Sequence, residues 1–302
     1  MLKVQFVTVS FHTFGWMQNL ISSIFTYFPY NILVIDNNPT EEDVGSTFTH
    51  SRSPGSTFES DYAFTGVNFA FNDKVKAERE WLLNHGIKVG EVNITNRKVK
   101  DKNDEQRYKF THCKQTDLRS TYVPPVCKNR LSIIQNKGYH RKHGSGLEIA
   151  KHWCLHNNID VMCHVEPDVG IEGVRWFYDQ LSAIENGAWH AGSWYKRAWG
   201  SAAELAHIPY LERPTYSALD VSCCSWLLDP IKNIPLYSAN MGGDQSHPKF
   251  NEITYSDHAI TNNYWDTAHK AWFHCYKHNK VALTSKKDVK HLDHSCSLKD
   301  YE

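Results

Sequence analysis

The sequence predicts an α/β fold, with a central, mostly parallel sheet flanked by helices. Three observations carry this. Short β-branched apolar runs alternate with stretches of helical period, as strands joined by crossover helices do. The runs end in turn-forming or acidic residues, at the carboxyl ends where such sheets collect their ligands. One run, Val161–Val165, stops at Glu166-Pro167-Asp168, and an amphipathic stretch follows it.

Lys3 to Ser10 is β-branched and nearly all apolar, as a strand buried on both faces should be. Met17, Leu20, Ile21, Ile24 and Phe25 then fall on one helical face, and Pro29 stops the helix. Asn31 to Ile35 is a second strand, closed by Asp36-Asn37-Asn38-Pro39. The crossover in such a β-α-β unit is right-handed, which turns Asp36 and the Ser10 end of the first strand toward one crevice. Asp-Asn-Asn-Pro is equally good turn chemistry. Thr40 to Phe71 shows little periodicity and reads as a long loop or insertion. Asp73 to Asn84, ended by Gly86, reads as a helix, and Ile87 to Ile94 as a strand.

Arg97 to Lys142 is strongly basic, with thirteen Lys and Arg against four acidic residues. A solvated basic insertion, a seat for donor phosphates and a polyanionic acceptor all remain open for it. Its aromatics, Tyr108, Phe110, Tyr122 and Tyr139, are sparse for a single-strand stacking platform. Gly144-Ser145-Gly146-Leu147-Glu148 then opens a helix: Ser145 and Glu148 have capping-box spacing, and Leu147, Ala150, Trp153 and Cys154 form its buried stripe. A glycine-flanked helix start after Arg141 and Lys142 suits a diphosphate.

That helix feeds the Val161 strand. Strand period two projects Glu166 and Asp168 to the same side, in outline a site for a metal ion or sugar hydroxyls. An exposed acidic turn capping the next helix uses the same residues. The helix itself, Gly173 to Glu185, carries Val174, Phe177, Tyr178, Leu181 and Ile184 at helical spacing. Further on, Trp189, Trp194, Tyr195, Trp199, Tyr210 and Tyr216 suit either a sugar-binding wall or a core. Ala218 to Leu228 is a strand with small residues from Ser222 to Ser225. Asp266 to His278 is a helix carrying Ala268, Trp272, Phe273 and Tyr276 inward, with a preceding piece at Ser256 to Thr261. Val281 to Thr284 and Val289 to His291 are closing strands.

At 302 residues and 41% hydrophobic content the chain can bury a full core. Its 33 basic and 33 acidic residues balance, so any argument for a charged partner is local. The eight cysteines lack Cys-x-x-Cys spacing and read as reduced thiols of a cytoplasmic protein. No signal-peptide pattern and no apolar run of spanning length is evident, which predicts no transmembrane segment. His274 and His278 stand at i, i+4, but His-Glu-x-x-His is absent, as are Gly-x-Ser-x-Gly and the Walker pattern, so protease, hydrolase and triphosphatase readings lose their anchors.

Together these pieces resemble a GT-A-fold glycosyltransferase of the family 2 type, rhamnosyltransferase-like, over most of the chain except roughly Thr40 to Arg130. The resemblance rests on Val7-Thr8-Val9-Ser10 with Leu33-Val34-Ile35-Asp36-Asn37, on Lys142-His143-Gly144-Ser145-Gly146, on Glu166-Pro167-Asp168-Val169, and on Ala271-Trp272-Phe273 through Val289-Lys290-His291-Leu292. It implies a Rossmann-like, nucleotide-diphospho-sugar transferase fold as a single catalytic domain over residues 1–302. The nucleotide-binding half would span about 1–170, with a basic insertion at about 40–142, and the acceptor-binding half about 171–302.

It further implies donor binding by Thr8, Ser10, Asp36, Asn37, Lys142, Gly144, Gly146 and Glu166. A divalent cation, Mn²⁺ or Mg²⁺, would be held by Asp168, Glu166 and His291, with Asp266 or its competitor Asp257 as general base. The expected activity is inverting transfer of a sugar from a nucleotide-diphosphate sugar to a glycan or saccharide hydroxyl. Three alternatives stay open: transfer to hydroxymethylated bases in DNA, held through residues 97–142; a non-catalytic carbohydrate-binding protein on a degenerate transferase fold; and a nucleotidyltransferase.

Overall fold

The computed structural model describes residues 2–10, 16–38, 73–93, 109–111, 130–137, 143–198, 215–236, 239–240, 264–265, 267–285 and 287–291. Among these, nine strands form one mixed sheet. At its centre β1 (Val4–Ser10) lies between β2 (Asn31–Asp36) and β6 (Val161–Val165), parallel to both. Beyond β2 come β5 (Leu131–Asn136) and β3 (Ile87–Asn93), also parallel, and then the antiparallel β4 (Lys109–Thr111). On the other flank β6 pairs antiparallel with β9 (Thr215–Leu227), which pairs antiparallel with β8 (His190–Ala198); β12 (Val281–Leu283) closes that edge parallel to β8. The α/β class and the mostly parallel mixed sheet are as the sequence predicts. Two small pairs stand apart: β10 (Ala239–Asn240) with β11 (Tyr264–Trp265), and β7 (Val169–Ile171) with β13 (Val289–His291).

The sheet is buried on both faces because its strands carry apolar side chains on both. Phe6, Ile32, Val34, Leu131, Ile133, Cys163 and Val165 face α1 (Trp16–Tyr27), α2 (Asp73–His85) and α4 (Arg175–Glu185). Val7, Val9, Leu33, Ile35, Ile134, Met162 and Trp226 face α3 (His143–His156), the short α5 (Leu228–Ile231) and α6 (His269–Lys277). On the first face an aromatic cluster of Phe6, Phe28, Trp176 and Phe177, with centroids 5.1–6.3 Å apart, ties α1 and α4 to the middle of β1. Cys154, Cys163 and Cys275 fill core positions, and burial pushes the thiols of Cys163 and Cys275 up to about 12. No helix among the described residues is long and apolar enough to cross a membrane.

Four expectations are corrected. Leu131–Asn136, placed by the sequence inside a basic insertion, is an interior strand of the sheet between β2 and β3, whereas α2 and β3 stand where the sequence put a helix and a strand. The charge of the flanking segments masked a short strand whose apolar residues are Leu131, Ile133 and Ile134. Helix α3 already includes His143, so Ser145 lies inside its first turn rather than at its cap, and Glu148 is committed to Lys151, His152 and the Leu236 N–H instead. In α4 the buried stripe is Trp176, Phe177, Gln180 and Ile184, while Val174 and Tyr178 are exposed. Gln180 is drawn inward because its amide donates to the Cys223 carbonyl and accepts from Ser225 Oγ. Finally, the capping of α4 falls to Asp288, whose Oδ2 accepts from Arg175 N at 3.0 Å, and not to the acidic tip of β6.

Candidate functional site at the ends of the parallel strands

The chain leaves β1 toward β2 by way of α1 on one face and reaches β6 from β5 by way of α3 on the other. Connections therefore diverge between β1 and β6, and the carboxyl ends of these two strands flank the point where open α/β sheets bind ligands. Helix α3 meets the strands closely there. A Cβ on Gly146 would lie 2.7 Å and 2.8 Å from the Val9 methyls and 3.1 Å from Asn37 Nδ2, so the glycine is required by the approach of the helix. This is a packing role for a residue that the resemblance assigns to the donor.

One polar cluster occupies the β1–β2 side. Asn38 donates its main-chain N–H to Asp36 Oδ1 at 3.0 Å and its amide to Asp36 Oδ1 at 2.9 Å and Ser10 Oγ at 2.8 Å. Arg79 Nε stands 3.3 Å from Asp36 Oδ2, and Ser10 Oγ donates to Glu78. On the opposite face of the same strand ends, Asn136 Nδ2 donates to Asn37 Oδ1 at 2.8 Å. Ser10, Asp36, Asn37, Asn38, Glu78 and Asn136 are all buried. Thr8 is deeper still, wholly buried with a hydroxyl that has no hydrogen-bond partner among the described residues.

The second cluster forms at the β6 tip. The strand stops at Val165, and Glu166-Pro167-Asp168-Val169 turns back on itself with Val169 N donating to the Glu166 carbonyl at 3.1 Å. Proline suits the second position of such a turn. The alternation that put both carboxylates on one side does not apply, because the backbone is no longer extended at Pro167. Asp168 is buried, while Glu166 is partly exposed and stands with Oε1 3.4 Å from His143 Nδ1. His143 Nε2 is 3.0 Å from Nε2 of the fully buried His164, whose Nδ1 donates to the Val221 carbonyl at 2.5 Å. The β7–β13 pair then brings the closing segment to this tip, with His291 opposite Val169 in register, next in sequence to Asp168.

The structure thus gathers Ser10, Asp36 and Asn37 at one strand end, and Glu166, Asp168 and the main chain of His291 at its neighbour, with Gly144 and Gly146 in the helix turn above. Thr8 stands apart from them, inside the layer. Lys142, Asp257 and Asp266 lie outside the described residues, as do Lys98, Lys100 and Lys102 of the basic stretch, while Trp194, Tyr195 and Tyr216 lie in β8 and β9. Among the described residues no group of three His, Cys, Asp or Glu side chains stands close enough to hold a metal ion. The backbone register at His291 and Val169 brings the closing strand alongside the turn that carries Asp168.

Sequence reasoning missed His143, His164, Glu78 and Arg79. His164 lay in plain view at an alternate position of a buried strand, and the one signal for it was an imidazole where an apolar residue is expected. Glu78 and Arg79 gave no signal, since a charged pair on a helix reads as solvated surface. No family model and no curated protein matches the chain.

Proposed function

We propose that the protein is an inverting glycosyltransferase that moves a sugar from a nucleotide-diphosphate donor to the hydroxyl of a glycan or saccharide acceptor. The observation that carries the reading is the register of β13 on β7, which sets His291 beside the Asp168 turn at the strand ends flanking the sheet's point of divergence. In this reading Asp168 and His291 would hold a divalent cation of the Mn²⁺ or Mg²⁺ type, which would offset the charge of the departing diphosphate as a Lewis acid. The start of α3, brought near by Gly146, directs main-chain N–H groups and the positive end of the helix dipole toward the phosphates. Asp36 and Asn37 form the rim that receives the nucleoside. Asp36 reaches it pre-oriented by Asn38 and Arg79, so its carboxylate is held in one rotamer before the donor arrives. Asp266 or Asp257 takes the proton of the acceptor hydroxyl.

The test is ligand linkage. With Mn²⁺ present, one of UDP, dTDP or GDP is expected to raise the melting temperature, by about 2.7 kcal/mol of added stability at a hundredfold excess over its dissociation constant. Asp168→Asn is expected to lose the shift while melting at an unchanged temperature without ligand. A panel of all three nucleotides that leaves the wild-type melting curve in place removes the reading.

A further inference from the structure

We propose that Asp288 is a positioning residue of the site: it locks the closing strand β13 into the register that brings His291 alongside the Asp168 turn, and nucleotide affinity depends on that lock. The inference rests on the transferase reading above. The need for a lock is visible in the strand itself. β13 has three residues, and among the described residues it pairs with the three of β7 alone. A ribbon of two short strands is marginal in water without further support. The ion pair along it, Lys290 with Glu172, is exposed at both ends and contributes little. A slip of one residue would take His291 out of register with Val169.

Asp288, immediately before the strand, supplies what the ribbon lacks. Its carbonyl accepts from Glu172 N at 2.8 Å, which carries the pairing one step beyond Val289 and Ile171. Its side chain serves α4. Val174, at the start of that helix, has no side-chain acceptor, and Asp288 Oδ2 accepts from Arg175 N at 3.0 Å in its place. The carboxylate also meets the positive end of the helix dipole there. Gly173 makes the room, since a Cβ on it would lie 2.8 Å from both Cγ and Oδ2 of Asp288. Asp288 itself holds φ at +68°, a left-handed conformation that aspartate tolerates better than most residues. Trp176 and Phe177, one and two residues past Arg175, pack against Phe6 of β1, so the capped end of α4 is a fixed point. Asp288 thereby refers the closing strand to the middle of the sheet. A site assembled in only a fraction of molecules binds with its affinity reduced by that fraction.

The experiment measures dissociation constants of UDP, dTDP and GDP on the full chain with Mn²⁺ present, together with melting temperature and amide hydrogen exchange. Asp288→Ala is expected to weaken the nucleotide that wild type binds by about tenfold, for the lost cap and the left-handed alanine together. The amides of residues 169–171 and 289–291 should exchange faster by a similar factor. Asp288→Asn keeps a side-chain oxygen and tolerates the same φ, and should bring both readouts to within about twofold of wild type. Should the alanine variant fail to fold, Asp288→Gly accepts the left-handed φ, lacks the carboxylate and carries the same expectation. Asp160→Ala is the control. It removes a bond of the same kind, Oδ2 accepting from Lys3 N at 2.7 Å, at the amino ends of β1 and β6, and should lower the melting temperature with nucleotide affinity as in wild type. Equal affinity in wild type and Asp288→Ala overturns the inference and leaves the transferase reading standing. An asparagine variant as weak as the alanine one, or an equal loss in Asp160→Ala, overturns it as well. Wild type that binds none of the three nucleotides removes the transferase reading and the inference together.

Discussion

Helix α3 carries two clusters of ionisable side chains built on opposite rules. In its middle, Glu148 and Lys151 stand 2.8 Å apart, both buried, and main chain closes them off: Leu236 N donates to Glu148 at 2.7 Å, and Lys151 donates to the Ile234 carbonyl at 2.5 Å. Each contact fixes residues 234–236 against the helix. In the first turn, the His143 and Glu166 side chains keep 31% and 24% of their surface, and only His164 is sealed in. A buried ionic group that is satisfied by its own fold holds the fold. One that turns a charged edge outward at the strand ends keeps its contact with solvent.

The largest effect should separate these roles. Lys151→Met leaves the Glu148 carboxylate buried without its ammonium, at a cost of about 3–5 kcal/mol in urea unfolding, whereas the double Glu148→Met, Lys151→Met variant should recover most of it. A single variant within about 1 kcal/mol of wild type would erase the distinction. The pH dependence has a definite sign. Burial alone would push the Glu148 carboxyl up, but His152, Lys151 and the Leu236 N–H together hold it below its ordinary 4.5. Its contribution is therefore full above that value and lost as pH falls through the lowered one.

A lone buried imidazole offers the next comparison. His190 has a carbonyl partner, Ser225 at 3.1 Å, lies against the Trp226 ring with centroids 4.0 Å apart, and is pushed by burial down to about 3. The unfolded chain, with an ordinary value of 6.5, takes up a proton that the folded chain refuses, so stability declines as pH drops from 6.5 toward 3. The slope is up to about 1.4 kcal/mol per unit. His190→Gln should flatten the profile by that amount between pH 6 and 4, and parallel profiles would show that the ring is charged in the fold.

The fold was legible where periodicity was clean. β1, α1, β2 and β6 fall where the alternation of apolar runs put them, because both faces of a parallel sheet demand continuous hydrophobic strands. The gathering of Ser10, Asp36 and the Asp168 turn follows from that topology alone. The tip itself was not legible, since strand alternation was carried one residue past Val165, and Pro167 had already turned the chain. The imidazole pair was hidden for another reason. His143 and His164 are distant in sequence, and their meeting depends on how closely α3 approaches β1, a distance set by a glycine rather than by any residue with chemistry of its own.

That closeness supplies the smallest effect. Replacing Gly146 with alanine adds a methyl group at 2.7–2.8 Å from Val9, where α3 must lift off β1 to admit it. Overpacking of this kind costs about 1–3 kcal/mol, and the better helix propensity of alanine returns about 1 kcal/mol of it. The net loss is then on the order of 1 kcal/mol, small beside that of Lys151→Met although both changes lie on one helix. The displacement should act mainly on the first turn, widening the 3.0 Å His143–His164 contact while leaving the Glu148–Lys151 coupling energy as in wild type. A Gly146→Ala protein more stable than wild type would mean that helix and strand are not in contact there, and the contrast between the two ends of α3 would lose its structural basis.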